Sequence, residues 1–338
     1  MKRTLQKVLA AALALTMAIG TLTACGGGNE TKTLDGTDTI VLVAGHGGSE
    51  DYAYHKGLVA FKEQLEIISD GKMTVVIHPN ATLGNERDLL EGLQLGSVDI
   101  CVVANGTLTT FVPSVCALDL PYLFEDTEHV RRILASDILN PLKQDMVDQG
   151  FHSLAFWENG FRSLANSKRP INTIADCKGL KIRTLDSKVM IAGFNAIGCE
   201  VVTMGMSEVF TAAQNGTIDG MDQPLNLFAS GLYYEVQDYL SLTEMYYPVG
   251  HLLLSQTKYN SLSDEQQEWV DQAAQMSRQT QWDIVAQETK DAVVVAKEHG
   301  VQVIENVDKT PFKEATKVVY DQYAGDYDTA LVQSIQSH

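Results

Sequence analysis

From Ser263 to His299 neither proline nor glycine interrupts the chain. Ser263 stands three residues before Gln266, the spacing of a capping box that opens a helix. Helical throughout, the segment from Ser261 to Glu298 measures roughly 50 Å, longer than one small lobe is wide. Such a rod is expected to lie across two lobes as a strut. The length of 338 residues suits two lobes of ordinary size.

The rest of the chain reads as strands alternating with helices, twice over. Thr39 to Ala44 is a β-branched run followed by the turn Gly45-His46-Gly47-Gly48, and Tyr54 to Ile68 has apolar residues at helical spacing. Strands are expected at Met73 to His78 and Asp99 to Ala104, with a helix at Asn85 to Leu95 between them. The rhythm resumes after Trp157: strand Leu180 to Arg183, helix Val189 to Ile197, strand Glu200 to Thr203, helix Glu208 to Gln214, strand Ile218 to Met221. This order predicts parallel, doubly wound α/β sheets in two lobes with a crevice between them.

The N-terminus reads as an export leader. Lys2, Arg3 and Lys7 precede an uncharged apolar run, Val8 to Leu22, that is shorter than the about 20 residues a membrane span needs. It ends in Leu22-Thr23-Ala24-Cys25, which is similar to a bacterial lipobox and makes residues 1–24 a cleaved signal and Cys25 the lipidated residue. Residues 25–38 are small and polar, a tether reaching roughly 20 Å. Losing the leader removes three basic residues and no acidic ones, moving the formal charge from −18 to −21. So acidic a chain repels phosphate backbones, which excludes nucleic acid as a partner.

Catalytic constellations are absent. Gly45-His46-Gly47-Gly48 resembles an esterase oxyanion loop, but no G-x-S-x-G elbow accompanies it. No H-E-x-x-H, no phosphate-binding loop and no dinucleotide fingerprint occurs. No enzyme, cofactor or metal is expected. The mature cysteines Cys101, Cys116, Cys177 and Cys199 lack zinc spacing and read as small buried apolar residues. A Cys177–Cys199 bridge is the alternative that export leaves open.

What the chain offers instead is arginine. Arg183 closes the Leu180 to Arg183 strand, at the carboxyl end where open α/β sheets bind ligands. Arg162 takes a comparable place at the start of the same lobe. A guanidinium presents a planar fork that matches a carboxylate. The competing reading pairs each arginine with a surface acid.

Ten segments in order carry a resemblance. They are Tyr54 to Gly57, Leu83 to Arg87, Gly92 to Asp99, Phe111 to Phe124 (FVPSVCALDLPYLF), Phe156 to Phe161 (FWENGF), Asn166 to Ile171, Lys178 to Arg183 (KGLKIR), Ser207 to Ala213, Asp219 to Pro224 (DGMDQP) and Tyr233 to Thr243. This series resembles the DctP-type substrate-binding proteins of TRAP transporters, the tripartite ATP-independent uptake systems. The resemblance implies an α/β, periplasmic-binding-protein-like clamshell with a long helix shared by both lobes. The expected division is 39–158 with about 248–285 in the first lobe, and 159–247 with about 286–338 in the second.

It also implies that Arg183, ending the K-G-L-K-x-R motif, makes the main salt bridge to a ligand carboxylate. Arg162, in N-G-F-R, is a second contact. Where the family has D-G-Q-E-N-P, this chain has Asp222 and Gln223, so Gln223 inherits the asparagine's place with a longer reach. His46 and Glu86 are expected on the first lobe's rim, Asn105 on the floor, Met206 and Phe210 on an apolar wall. Trp157 is expected in interlobe packing. The expected function is capture of a small organic acid by lobe closure, followed by delivery to a two-subunit membrane permease. A sugar acid such as a uronate or aldonate fits the polar groups best; a C4-dicarboxylate or keto acid, or a ligand-sensing role, are the alternatives.

Overall fold

The computed structural model describes residues 39–338. The expected leader (1–24), Cys25 and the whole of the expected tether (25–38) therefore lie outside the described residues.

Among the described residues, eleven strands form two sheets. The first contains β1 (Ile40–Gly45), β2 (Met73–His78), β3 (Ile100–Ala104), β4 (Phe151–Trp157) and β10 (Gly250–Ser255), in the order β2-β1-β3-β10-β4. The second contains β5 (Arg162–Asn166), β6 (Lys181–Thr184), β7 (Glu200–Thr203), β8 (Gly220–Pro224), β9 (Tyr239–Tyr246) and β11 (Gln302–Ile304), in the order β11-β9-β5-β8-β6-β7. The α/β two-lobed class is as the sequence predicts, but the sheets are mixed. β10 runs antiparallel to β3 and β4, and β5 antiparallel to β8 and β9. The strand–helix rhythm marks only parallel units. The strands it misses are those on either side of two crossings, β4 to β5 and β9 to β10, and the edge strand β11.

At the first crossing Gly160 has φ +84, a left-handed backbone that disfavours a side chain, and a Cβ there would approach Thr289 Oγ1 to 3.3 Å. The tight passage lies under the long helix, Asp264–Glu298, which has 35 residues and begins at the expected Ser263/Gln266 capping box. Gln281 of that helix grips the crossing reciprocally: Glu158 N donates to Gln281 Oε1 at 2.9 Å, and Gln281 Nε2 donates to Glu158 O at 2.8 Å. The Glu158 carboxylate is held in turn by Arg131, at 2.7 and 3.0 Å. Trp157 is fully buried here and leaves no room for a Cβ on Gly57 of the helix Ala53–Ile68. The helix buries Ala273, Ala274, Val285 and Ala292 in one continuous core with Leu58 and Phe61 of the helix Ala53–Ile68 and with Leu225 and Phe228, which follow β8. It spans both lobes.

One segment departs from the expected division. The last helix, Thr329–Ser337, buries Leu331, Val332 and Ile335 with Val130, Ile133 and Leu139 of the first lobe, and His129 Nε2 lies 2.8 Å from Ile335 O. Its apolar stripe finds its complement there, so the chain returns to the first lobe before it ends.

Candidate functional site

Between the lobes lies a cavity of about 380 Å³. The second lobe's wall is built by strand order. β8 runs between β5 and β6, with Arg162 opposite Pro224, Ser163 opposite Gln223, and Arg183 opposite Met221. Residues far apart in sequence thus meet on one patch. β8 extends to Pro224, beyond the expected end at Met221, because Asp222, Gln223 and Pro224 stay in register with Leu164, Ser163 and Arg162 of β5 and are buried there.

The arginines differ in what they hold. Arg162 donates from Nε to the Asp222 carboxylate and from Nη2 to the Asp222 carbonyl, all three groups being buried. Thr184 Oγ1 also donates to Asp222, at 3.3 Å. Burial pushes the Asp222 pKa up, and the adjacent Arg162 pulls it back. Arg183 donates from Nε and Nη2 to Met204 O, at 3.1 and 2.7 Å, and hydrogen-bonds to no carboxylate among the described residues. It is 2% exposed, and burial, then the neighbouring Arg162, lower its pKa to about 10. It remains a cation at neutral pH. Gln223 Nε2 is a buried donor that makes no hydrogen bond among the described residues.

The first lobe's wall accepts. Glu86 opens the helix Glu86–Leu95, whose buried Leu89, Leu90 and Leu93 fasten it to the core and whose Asn85/Asp88 capping box fixes its first turn. Its carboxylate accepts from Ala104 N at 3.0 Å and Thr107 Oγ1 at 2.5 Å. Burial raises its pKa, opposed by those two donors and by the charges of Arg183 and Arg162 across the cavity. Tyr52 and Asn159 also line the cavity and hydrogen-bond to each other. Tyr54 lines it too, with its buried hydroxyl beside that of Tyr52.

The walls meet. Ser207 Oγ donates to Asn85 Oδ1 at 3.0 Å at the mouth, and deeper Ser187 Oγ donates to Asp119 Oδ2 at 2.9 Å. A Cβ on Gly47 would stand 3.1 Å from Met206 Cε of the opposite wall.

Of the expected site residues, Arg183, Arg162, Gln223, Glu86 and Met206 line the cavity. Three do not. His46 is fully buried beside it, its Nε2 3.0 Å from His55 Nδ1, and Gly47 and Gly48 form the rim in its place. Asn105 is one residue too far: Ala104 lines the cavity, while the Asn105 amide faces inward, with Nδ2 donating to Val115 O at 2.9 Å and Oδ1 2.9 Å from His251 Nε2. Phe210 lies one helical turn beyond Met206 and leans onto Tyr233, ring centroids 6.2 Å apart. Sequence reasoning missed Tyr52, Tyr54, Asn159 and Thr107. Tyr54 and Asn159 lie inside segments that carry the resemblance, where attention went to the charged neighbours.

Comparison with known proteins agrees with this geometry. The profile of the family described as DctP, bacterial extracellular solute-binding protein family 7, matches residues 44–326. The 2,3-diketo-L-gulonate-binding periplasmic protein YiaO of Escherichia coli is 33% identical over 271 residues, 80% of this chain and 83% of its own. A TRAP periplasmic solute-binding protein from Polaromonas sp. JS666, bound to D-erythronate, superposes with a TM-score of 0.86 at 33% identity, covering 88% of this chain and 98% of that one. One from Bordetella, with density interpreted as pantoate, gives 0.85 at 37%, covering 88% and 99%. The described residues contain no helix long and apolar enough to cross a membrane. A two-lobed clamshell with an arginine-bearing cleft, matched along most of its length, belongs to the DctP family of bacterial extracellular solute-binding proteins, which serve TRAP transporters as binding proteins and not as enzymes.

Proposed function

We propose that this protein captures a polyhydroxylated monocarboxylate, a sugar acid of the aldonate or uronate kind, and hands it to a two-subunit TRAP permease. The observation that carries the reading is the opposition of Arg183 and Glu86: a buried guanidinium with no carboxylate of its own faces a fixed carboxylate. The ligand's carboxylate supplies the missing counter-charge, gripped by Arg183 with help from Arg162 Nη1 and Gln223 Nε2. Each such charge-assisted bond contributes on the order of 1.5–3 kcal/mol in a closed, water-poor cleft. Glu86 accepts from the ligand's hydroxyls. A second carboxylate at that end would meet Glu86, with Asp88 beside it.

A C4-dicarboxylate needs a second cation on the first wall. The candidate, Arg87, lines the cavity but is already paired: its Nε is 3.2 Å from Glu91 Oε1, and its side chain is 62% exposed and so screened by solvent. The ligands named for two relatives, diketogulonate and erythronate, are polyoxygenated monocarboxylates and support the same choice, whereas a less similar solved relative, 26% identical, holds succinate. Cys25 in its lipobox-like setting anchors the mature chain to the membrane by a lipid, with residues 26–38 as the tether. Release then needs only a permease that binds the open state better than the closed one.

The test is a thermal-shift and calorimetry panel of gluconate, galacturonate, erythronate, succinate and galactose. At least one sugar acid is expected to raise the melting temperature well above the other two classes. Succinate as the strongest ligand, or galactose equal to galacturonate, overturns the reading.

A further inference from the structure

Cys177 and Cys199 take no part in the cleft, yet the fold brings them together. Cys177 closes the short 3-10 turn Ile174–Cys177 before β6, and Cys199 stands immediately before β7. The two stretches are laced side by side. Gly179 N donates to Gly198 O at 2.9 Å and Glu200 N to Leu180 O at 2.8 Å, while Leu180 N turns back to Cys177 O at 3.1 Å. Both side chains enter one apolar cluster with Leu180, Ile182, Phe194 and Ile197, Cys177 fully buried and Cys199 6% exposed. Within it the thiols interact: the Cys177 thiol is the largest influence pushing the Cys199 thiol's pKa up, ahead of burial. Cys101 and Cys116 belong to a different cluster.

We propose that Cys177 and Cys199 are joined by a disulfide in the exported protein. Proteins of this family work outside the cytoplasm, where disulfides persist. The S–S bond forms as two S–H bonds break. The two electrons and two protons pass to an oxidant of the disulfide class, whose own S–S bond opens to two thiols. Once the domain is folded both thiols are shut away from an oxidant, Cys177 fully buried and Cys199 nearly so, so the bond forms before the cluster closes. The bridge closes a loop of about twenty residues that contains Arg183, fastening both ends of the segment that carries it. By limiting the unfolded chain it raises the melting temperature by about 5 °C.

The experiment expresses the full chain with its own leader, blocks thiols with N-ethylmaleimide at harvest under denaturing conditions, and maps the cysteine peptides by mass spectrometry. The expected result is one peptide pair linking Cys177 to Cys199 in most molecules. A parallel sample, reduced in denaturant and refolded with glutathione disulfide, acquires the same link and melts about 5 °C above one refolded without oxidant; Cys177→Ser and Cys199→Ser each remove that gain. Both cysteines found alkylated in the exported chain, or each carrying glutathione after oxidative refolding, overturns the proposal. The peptide map of the unmodified sequence decides the matter even where a serine variant fails to fold.

Discussion

Arg162 and Arg183 are the same side chain on neighbouring patches of one sheet, equally buried, and the chain treats them oppositely. Around Arg162 the protein has closed the charge account: Asp222 accepts from its Nε and its backbone carbonyl from Nη2. Around Arg183 it has supplied a carbonyl and stopped. A carbonyl fixes the fork's orientation without neutralising it. A buried cation left in that state is costly alone and is relieved by an anion, which makes Arg183 the site's demand and Arg162 part of its frame.

The contrast is broken most directly by removing each arginine's charge or its partner. Arg183→Ala is expected to weaken sugar-acid binding about 1000-fold, measured by calorimetry, while the ligand-free protein melts as before or slightly higher because a lone buried charge is gone. Arg183→Lys keeps the charge but loses the fork, and at least a tenfold loss is expected. If either variant binds with full affinity, Arg183 is not the ligand's counter-ion. Asp222→Asn inverts the pattern. It strands Arg162 and should cost about 3 kcal/mol of stability in urea unfolding of the ligand-free protein. A stability loss no larger than that of Arg183→Ala would mean the two arginines are not differently compensated.

Much of this contrast was hidden in the sequence, and the reason is geometric. Both arginines stand at strand ends, and the resemblance marks both as carboxylate contacts. Their difference depends on β8 inserting between β5 and β6, a pairing between residues separated by dozens of positions. Local patterning reached the parallel strand–helix units and the capped long helix, because those are set by near neighbours. It missed β4, β5, β9 and β10, whose partners are remote, and with them the two crossings that create the cleft. At the site, Arg183, Glu86, Gln223 and Met206 were legible from motifs. Asn105 was displaced by one residue because sequence places a residue near a strand end without saying which way it turns. The inward turn is decided by Val115, beyond the next short helix, and by His251, distant in sequence.

The opposite wall sharpens the comparison at smaller amplitude. Glu86→Gln halves the acceptors offered to hydroxyls and should weaken an aldonate or uronate by about tenfold, without change in the arginine-side contacts. The sign is the informative part. Were the ligand a dicarboxylate, deleting that negative charge would strengthen binding, so titrating the variant with gluconate and with succinate separates the two readings. Gln223→Leu should weaken binding about fivefold. Stability should hold, since Gln223 Nε2 has no partner to lose among the described residues.

The most indirect effect concerns what props the accepting wall. Ala104, whose N–H holds Glu86, is followed by Asn105, and Asn105 rests on His251. Burial lowers the His251 pKa from 6.5 to about 3, so the folded protein keeps this ring neutral, with Nε2–H donating to Asn105 Oδ1. A depressed histidine stabilises fully above the unfolded value of 6.5, and that contribution is lost as pH falls from 6.5 towards 3. The limiting slope is about 1.4 kcal/mol per pH unit. Asp119 works in the other direction: burial raises its pKa from 3.8 to about 6, so its contribution fades as pH rises through that window. The total slope therefore mixes opposing groups, whereas the difference between the parent and His251→Gln isolates the ring. Urea unfolding of the ligand-free proteins at pH 7.5, 6 and 5 should show the variant less stable at pH 7.5. The gap should narrow by up to about 1.4 kcal/mol per pH unit below 6.5. A gap constant across that range would mean His251 does not titrate between the two states, and that the wall behind Glu86 is no more acid-sensitive than the arginine wall it faces.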